Sequence, residues 1–424
     1  MATGALHGVR VLEFTQIIAA PLAGSVLADL GADVVKVEPP GGENLRTAAG
    51  VVPGTSKSFQ WLNRGKRSLV VDLTDPRGQA LVHRIVPSFD VVTTNYRPPV
   101  VRRLKIDYET LSRFRPDLIY AQISGFGSHG PRADEPLIDM VAQAYSGYLA
   151  EVGVVDDLGG PRATHGSTMD AATAFAAVIG VVSALYHRTQ SGEGQFVDVS
   201  LLRAAMALIG SAVMREPVSD SVIFGPRLAE AHARFARGDD YASVLRDYKA
   251  TATALAATRQ PFLAGYMAKD GPVFIGAYTA VMRGLARKAL SIPDDGSDRP
   301  DFDPLAPDVL AIAARTRQAM VDAVHSRTAD EFVRELLAVG VPVSRVHLPG
   351  EVADDPQASE FMAEIEDELS GPQRQLSGLF EMSKTPVRPA GPAPMLGRHT
   401  DEVLTAAGIS ADEIAELRAA GTIA

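Results

Sequence analysis

Short apolar runs alternate with helix-like segments along the first third of the chain. Residues 9–14 (VRVLEF) and 32–38 (ADVVKVE) are typical of buried strands, and the segment between them contains PLAGSVLADLG, which begins with proline and ends with glycine as helices often do. Further strands are predicted at 68–73, 90–96 and 117–124. Strands that alternate with helices predict an α/β fold with a doubly wound, largely parallel sheet.

The pattern changes in the second half of the chain. Residues 165–186 (HGSTMDAATAFAAVIGVVSALY) predict a long apolar helix that one acidic residue, Asp170, opens. From about residue 216 the chain becomes charged and alanine-rich, and a hairpin is predicted at Asp270-Gly271. We therefore expect a large domain beginning with 1–215, a small domain at 225–320, and a C-terminal part at 327–424 that completes the large domain.

Charge and cysteine content narrow the chemistry. The 424 residues carry a formal net charge of −10, whereas proteins that bind duplex nucleic acid show a basic surplus, so no nucleic-acid partner is expected. The chain has no cysteine, which excludes disulfides, thiolate metal sites and a cysteine nucleophile. No spacing of His, Asp and Glu is typical of a metal site.

The sequence also predicts a compartment. The N-terminal residues lack the basic and apolar regions of a signal peptide. The longest uncharged apolar stretch, 171–186, is shorter than the roughly 20 residues of a membrane span. We expect a cytoplasmic protein with no membrane partner.

Asp170 has two interpretations. Ser167-Thr168-Met169-Asp170 resembles a capping box, in which both side chains stabilise the start of the helix. Alternatively, Asp170 is a nucleophile, and nearby backbone amides at the helix start stabilise an oxyanion when it attacks a carbonyl. Local sequence favours the cap without excluding the nucleophile.

A second carboxylate, Asp139, lies 31 positions before Asp170 at the start of another predicted helix. It is interpreted either as a helix-start acid or as the partner of Asp170 in proton transfer or positioning. His129 and His165 occupy loops beside these helices and are candidate acid/base groups, although loop histidines are more often simply solvated.

Two segments are candidate ligand sites. Residues 125–130 (GFGSHG) match the dinucleotide motif G-x-G-x-x-G, but the helix that should follow is replaced by a proline-bracketed charged segment. Arg97, Arg102, Arg103 and Lys105 follow a predicted strand, where guanidinium groups suit phosphates. The alternative for this basic cluster is a solvated face.

Motifs in order along nearly the whole chain resemble the family III CoA-transferases, a group that includes formyl-CoA and carnitine CoA-transferases and α-methylacyl-CoA racemase. The segments are VRVLEFT, LADLGADVVKVEPPGG, NRGKRSLVVDL, NYRPPVVRRL, LIYAQISGFGSHGP, SGEGQFVDVSLL and PAPMLGRHTDEVL. The resemblance implies a Rossmann-like large domain, a smaller second domain and an interlocked homodimer.

The resemblance also implies the chemistry. Asp170 falls on the family's nucleophile, which forms an aspartyl anhydride and then an aspartyl-CoA thioester before CoA passes to a carboxylic acid. The CoA thioester is a substrate, so no tightly bound cofactor is implied. Asp139 and Gln16 are supporting residues, and the residues matching the family's CoA-binding segments are Ile17, Ile18, Ala19, Asn95, Tyr96, Arg97 and Arg103.

Departures from the family's patterns leave two alternatives to CoA transfer between two molecules: transfer within one molecule, and racemisation. Ile18 occupies the position of a formyl-CoA transferase glutamine, with Gln16 nearby, and some segments resemble transferases that move CoA within one mesaconyl-CoA molecule. The racemases carry a histidine immediately before the Asp139 position, where this chain has Ile138. Because inversion of a carbon needs two bases, this difference favours CoA transfer and leaves α-methylacyl-CoA racemase as the alternative.

Overall fold

The computed structural model describes residues 3–48 and 50–424. The chain forms two compact units. The first contains the residues up to 156 together with 161–214 and 356–424, and the second contains 157–160 and 215–355.

Six parallel strands form the sheet of the first unit: β1 (Arg10–Phe14), β2 (Asp33–Glu38), β3 (Arg67–Val70), β4 (Val91–Thr94), β5 (Ile119–Ser124) and β6 (Phe196–Ser200). Their order is β3-β2-β1-β4-β5-β6, which confirms the predicted parallel sheet. The order reverses between β1 and β4, and ligands of open α/β sheets bind beyond the carboxyl ends of strands at such a switch point.

Helices cover both faces of this sheet. On one face, Val26 and Leu27 of the first helix pack with Ala177 and Val181 of the eighth. The helices up to residue 213 are α1 (Ala19–Asp29), α2 (Lys57–Asn63), α3 (Pro76–Ile85), α4 (Pro98–Arg103), α5 (Tyr108–Leu111), α6 (Asp139–Tyr145), α7 (Tyr148–Val152), α8 (Thr168–Ser191), α9 (Leu201–Leu208) and α10 (Gly210–Val213).

Among the described residues, α8 is the one helix long and apolar enough to cross a membrane, judged by length and composition alone. Within its most apolar window, 44% is buried inside the protein. Its buried face packs against α1 in the core of the first unit, so this part of its apolar character serves tertiary packing.

The second unit has its own apolar core around Phe262 and Phe332. Its antiparallel sheet contains β7 (Gly265–Ala268), β8 (Gly271–Ile275) and β9 (Val343–Arg345), so the predicted hairpin is present. The helices are α11 (Pro217–Ser219), which leads into a π-helical segment (Asp220–Phe224), α12 (Gly225–Ala236), α13 (Tyr241–Ala256), α14 (Ala280–Leu290), α15 (Val309–His325), α16 (Ala329–Leu337) and α17 (Pro349–Val352).

The C-terminal segment returns to the first unit, but later than the sequence predicts. Residues 327–355, expected with the large domain, lie in the second unit because β9 pairs with β8. Val403 and Leu404 join the apolar core on the second face of the large sheet. The last elements are α18 (Pro356–Ser359), β10 (Met362–Asp367), β11 (Gly371–Leu376), α19 (Thr400–Ala406) and α20 (Ala411–Ala419).

Candidate active site

Two carboxylates meet at the start of α8. Asp139, the first residue of α6, is 5% exposed, and its Oδ2 accepts hydrogen bonds from the amides of Met169 at 2.7 Å and Asp170 at 3.0 Å. Asp139 therefore caps α8 from another helix. The Ser167 side chain makes no capping hydrogen bond, so the predicted capping box between Ser167 and Asp170 is wrong.

The backbone amides at this helix start all have partners. Asp139 binds two of them, the amide of Thr168 donates to the His165 carbonyl, and the amide of Ala171 donates to the Ser167 carbonyl. The expectation that these amides stabilise an oxyanion does not fit this geometry. Their hydrogen bonds instead hold the backbone of Asp170 in place.

The environment of Asp170 changes its acidity. Burial of the side chain, and secondarily the negative charge of Asp139, raise the pKa of Asp170 from 3.8 to about 7. A carboxylate of raised pKa is more basic and less solvated, and both properties favour nucleophilic attack.

Gln143 connects this pair to the loop before α8, and the sequence analysis did not single it out. Its buried Nε2 donates to Asp139 Oδ1 at 2.6 Å and to the His165 carbonyl at 3.2 Å. Its Oε1 accepts from the amide and hydroxyl of Thr164 at 3.1 and 3.0 Å. The signal was the spacing of Asp139 and Gln143, which places both on one face of α6.

A second group lies at the switch point of the sheet. We call the cavity of about 370 Å³ there the switch-point pocket. Gln16 follows β1 and Asn95 follows β4: the Gln16 amide donates to Asn95 Oδ1 at 3.0 Å, and Asn95 Nδ2 donates to the Gln16 carbonyl at 2.7 Å. The predicted residues Gln16, Asn95, Tyr96, Arg97 and Arg103 all line this pocket.

The other three residues predicted to bind CoA lie on the turn that joins β1 to α1 and at the first residue of α1. Ile17 is 42% exposed and has φ of 70°, a left-handed conformation that is unusual for a β-branched residue. Ile18 immediately precedes α1, and Ala19 is its buried first residue. Such strain occurs where the surrounding structure holds the backbone in place, often beside a ligand.

Comparison with known proteins identifies the family. The sequence model of CoA-transferase family III matches residues 6–400. This chain belongs to CoA-transferase family III. It is an acyl-CoA:carboxylate CoA-transferase, in keeping with the named relatives.

Similar enzymes cover almost the whole chain. The succinyl-CoA:mesaconate CoA-transferase of Haloarcula hispanica is 31% identical over 96% of this chain and 97% of its own length. The succinate–glutarate CoA-transferase of Agrobacterium fabrum is 31% identical over 94% of each chain. The crystal structure of Rv3272 from Mycobacterium tuberculosis, in its orthorhombic form, is 27% identical over 95% of this chain and 99% of its own, with a TM-score of 0.72.

In this CoA-transferase, the two candidate acid/base histidines are exposed. His129 and His165 both have exposed side chains, and His165 contributes its backbone carbonyl to Gln143. Ile138, at the position of the racemase histidine, is 65% exposed at the start of α6. The carboxylate pair therefore lacks a buried imidazole at this position.

The structure also locates the basic cluster and the G-x-G-x-x-G segment. In the basic cluster, Arg97 and Arg103 line the switch-point pocket, whereas Arg102 pairs with Asp134 at 3.3 Å. In the G-x-G-x-x-G segment, the amide and hydroxyl of Ser128 donate to the Asp198 carboxylate at 3.1 and 2.9 Å. A carboxylate thus binds the loop where a dinucleotide site would present an amide to a phosphate.

Proposed function

We propose that this CoA-transferase moves CoA from an acyl-CoA thioester to a small carboxylic acid through covalent bonds to Asp170. The observation that carries the proposal is the carboxylate pair: Asp170 is partly buried, its pKa is raised to about 7, and its backbone is held by Asp139. A nucleophile needs this combination of desolvation and fixed position.

The chemistry proceeds in balanced steps. The Asp170 carboxylate attacks the thioester carbonyl, a C–O bond forms, and the C–S bond breaks to give an aspartyl anhydride and CoA thiolate. The thiolate attacks the aspartyl carbonyl, which releases the first carboxylic acid as its anion and leaves an aspartyl-CoA thioester. The acceptor carboxylate then repeats these two steps in reverse, so that the new acyl-CoA leaves and the Asp170 carboxylate is regenerated.

The nucleotide end of CoA suits the switch-point pocket. Arg97 and Arg103 offer guanidinium groups for phosphates, and the pocket opens at the carboxyl ends of β1 and β4, where α/β folds bind nucleotides. The turn at residues 17–19 lies directly after Gln16 and is proposed to contact the pantetheine part.

Relatives guide the choice of acids. Enzymes similar to this chain are named for succinyl-CoA with mesaconate, for succinate with glutarate, and for succinyl-CoA with D-citramalate. We propose succinyl-CoA as donor and a four- or five-carbon dicarboxylate as acceptor. These names favour transfer between two molecules over transfer within one mesaconyl-CoA.

An apolar stripe on α8 supports the proposed homodimer. Phe175, Ile179, Val182 and Tyr186 are 38%, 67%, 38% and 67% exposed and follow one side of the helix at three- to four-residue spacing. Exposed apolar stripes of this kind mark interfaces, and the family's interlocked dimer would bury it against a second copy. A monomer in equilibrium sedimentation at micromolar concentration would contradict this part of the proposal.

The experiment that tests the function combines succinyl-CoA with single carboxylates. Chromatography should detect a new acyl-CoA and free succinate with mesaconate, glutarate or citramalate as acceptor, and much less with oxalate or formate. Reactions in deuterated water test the racemase alternative on a 2-methylacyl-CoA. Deuterium at the α-carbon without CoA transfer to any acid would reject the transferase mechanism in favour of racemisation.

Adjacent arginines provide a test of the CoA site. We expect Arg103→Gln to raise KM for succinyl-CoA about tenfold with little change in kcat, because a charge-assisted contact to phosphate is lost before chemistry begins. Arg102→Gln is the matched control, since Arg102 pairs with Asp134 and does not line the pocket. Equal KM values for the two variants would remove Arg103 from the site.

A further inference from the structure

Three charged side chains are completely buried beneath the turn that joins β1 to α1. Glu13 on β1, Lys36 on β2 and Lys66 just before β3 have 0% side-chain exposure. The Lys66 ammonium lies 2.8 Å from Glu13 Oε1, and the Lys36 ammonium lies 3.5 Å from the same atom. Buried ions are costly to desolvate, and an apolar core of similar volume would avoid that cost.

The two ammonium groups bind backbone carbonyls on either side of residues 16–20, one directly after β1 and one in the first turn of α1. Lys36 Nζ donates to the Thr15 carbonyl at 2.9 Å, and Lys66 Nζ donates to the Pro21 carbonyl at 2.8 Å. The Thr15 hydroxyl also donates to Glu13 Oε1 at 2.6 Å. Glu13 therefore joins both lysines. Together these three side chains form a clamp that holds Thr15, the first residue after β1, and Pro21, in the first helical turn of α1.

The residues between these anchors include those that the proposed function assigns to CoA. Gln16 lines the switch-point pocket, and Ile17 keeps its left-handed backbone conformation on the exposed side of the turn. A β-branched residue stays in that conformation only where its surroundings restrain the backbone. Asn95 restrains the turn through its two hydrogen bonds to the Gln16 backbone, and the two lysines hold the backbone on the buried side at Thr15 and Pro21.

Close packing leaves the clamp little freedom. A Cβ atom at Gly24 of α1 would lie 1.7 Å from Glu13 Oε2, so glycine is needed to admit the carboxylate. Lys36 also pairs with Glu43 at 3.0 Å, and Lys66 also donates to Asn63 at 3.1 Å. These additional partners fix both ammonium groups in position.

We propose that Glu13, Lys36 and Lys66 are positioning residues for acyl-CoA binding that act through the backbone of residues 15–21. This inference rests on the proposed function, because the contact between the turn and CoA is itself a proposal. If the turn is already ordered before CoA binds, none of the binding free energy is used to order it. Loss of the clamp should therefore weaken binding of CoA more than it slows the chemical steps.

The test compares two buried cations two positions apart. Lys66→Met removes the cation that binds the Pro21 carbonyl at the start of α1, whereas the control Arg64→Met removes a cation that pairs with Asp29, the last residue of α1, at 2.5 Å. Both variants should lower Tm, because each leaves a buried carboxylate with a lost partner. Only Lys66→Met should weaken CoA binding and raise KM for succinyl-CoA, each about tenfold, with a smaller change in kcat.

Hydrogen exchange supplies a readout that needs no activity. Amides of residues 16–20 should exchange faster in CoA-free Lys66→Met than in wild type, and at the wild-type rate in Arg64→Met. Equal CoA affinity and equal exchange in the two variants would overturn the clamp. If Lys66→Met does not fold, Glu13→Gln carries the same test. Wild-type protein that binds no CoA would refute the proposed function, while the exchange comparison would still decide the clamp.

Discussion

Replacing Asp170 by asparagine should lower kcat/KM for CoA transfer by at least about 10³-fold, because an amide does not form the acyl anhydride. The substitution preserves the size of the side chain. The helix cap is also preserved, since Asp139 binds the backbone amide of residue 170 and not its side chain. Initial rates of acyl-CoA formation from succinyl-CoA measure the effect.

Trapping the covalent intermediate with hydroxylamine distinguishes loss of the nucleophile from loss of the folded structure. Wild-type enzyme incubated with succinyl-CoA and hydroxylamine should carry a hydroxamate on Asp170, detected by mass spectrometry, and Asp170→Asn should carry none. Asp412→Asn is a matched control, because Asp412 is an exposed acid in the first turn of α20. Full activity in Asp170→Asn would exclude Asp170 as the nucleophile.

Asp170→Asn should be more thermally stable than wild type at about pH 8. The folded-state pKa of Asp170 is raised from 3.8 to about 7, so this group favours the folded state most below pH 4, and its contribution is lost as pH rises through 7. Asparagine carries no charge and removes this penalty. The gain in Tm should therefore shrink toward pH 4.

The second large effect is expected at Asp139. Burial is the main cause of the raised pKa of Asp170, and the negative charge of Asp139 adds to it. Asp139→Asn removes that charge, so the acid limb of the kcat/KM profile should move from near pH 7 to lower pH. Asp139→Ala should lower both stability and kcat, because the amides of Met169 and Asp170 lose their acceptor. Loss of the cap should cost about 0.5–2 kcal/mol of stability, and displacement of the nucleophile about 10²-fold in kcat.

A control for Asp139 must also be a carboxylate that binds backbone amides. Asp198 accepts from the Ser128 amide in the same unit, so Asp198→Asn should leave the acid limb near pH 7. Steady-state rates between about pH 5 and 9 provide the comparison. An acid limb that stays in place in Asp139→Asn would mean that another group controls it.

Local sequence predicted the large sheet well because its strands are buried on both faces and appear as apolar runs. Local sequence predicted poorly where the chain returns to the large domain, which was expected at residue 327 and occurs at residue 356. The segment 327–346 has the same helix-strand pattern as the large domain, yet its strand β9 pairs with β8 in the second unit. Hydrophobic pattern indicates that a strand is buried, but not which neighbour it pairs with.

At the candidate active site, too, spacing in the sequence predicted the helices but not the partners of their side chains. Ser167 and Asp170 have the spacing of a capping box, but the acceptor at the start of α8 comes from Asp139, about thirty residues earlier. Among the cations of one short segment, Arg103 faces the switch-point pocket and Arg102 faces Asp134. Spacing places both on one helix, and only packing decides which of them lines the pocket.

The sequence by itself determined the parallel sheet, the absence of cysteine chemistry, and an acidic residue at the head of an apolar helix, since these follow from composition and periodicity. The tertiary structure alone decided the partner and acidity of Asp170 and the burial of Lys36 and Lys66. In the sequence, these lysines look like ordinary charged residues beside strands. Burial and charge pairing depend on groups brought together from distant parts of the chain, and these interactions set pKa values and hold a strained turn in place.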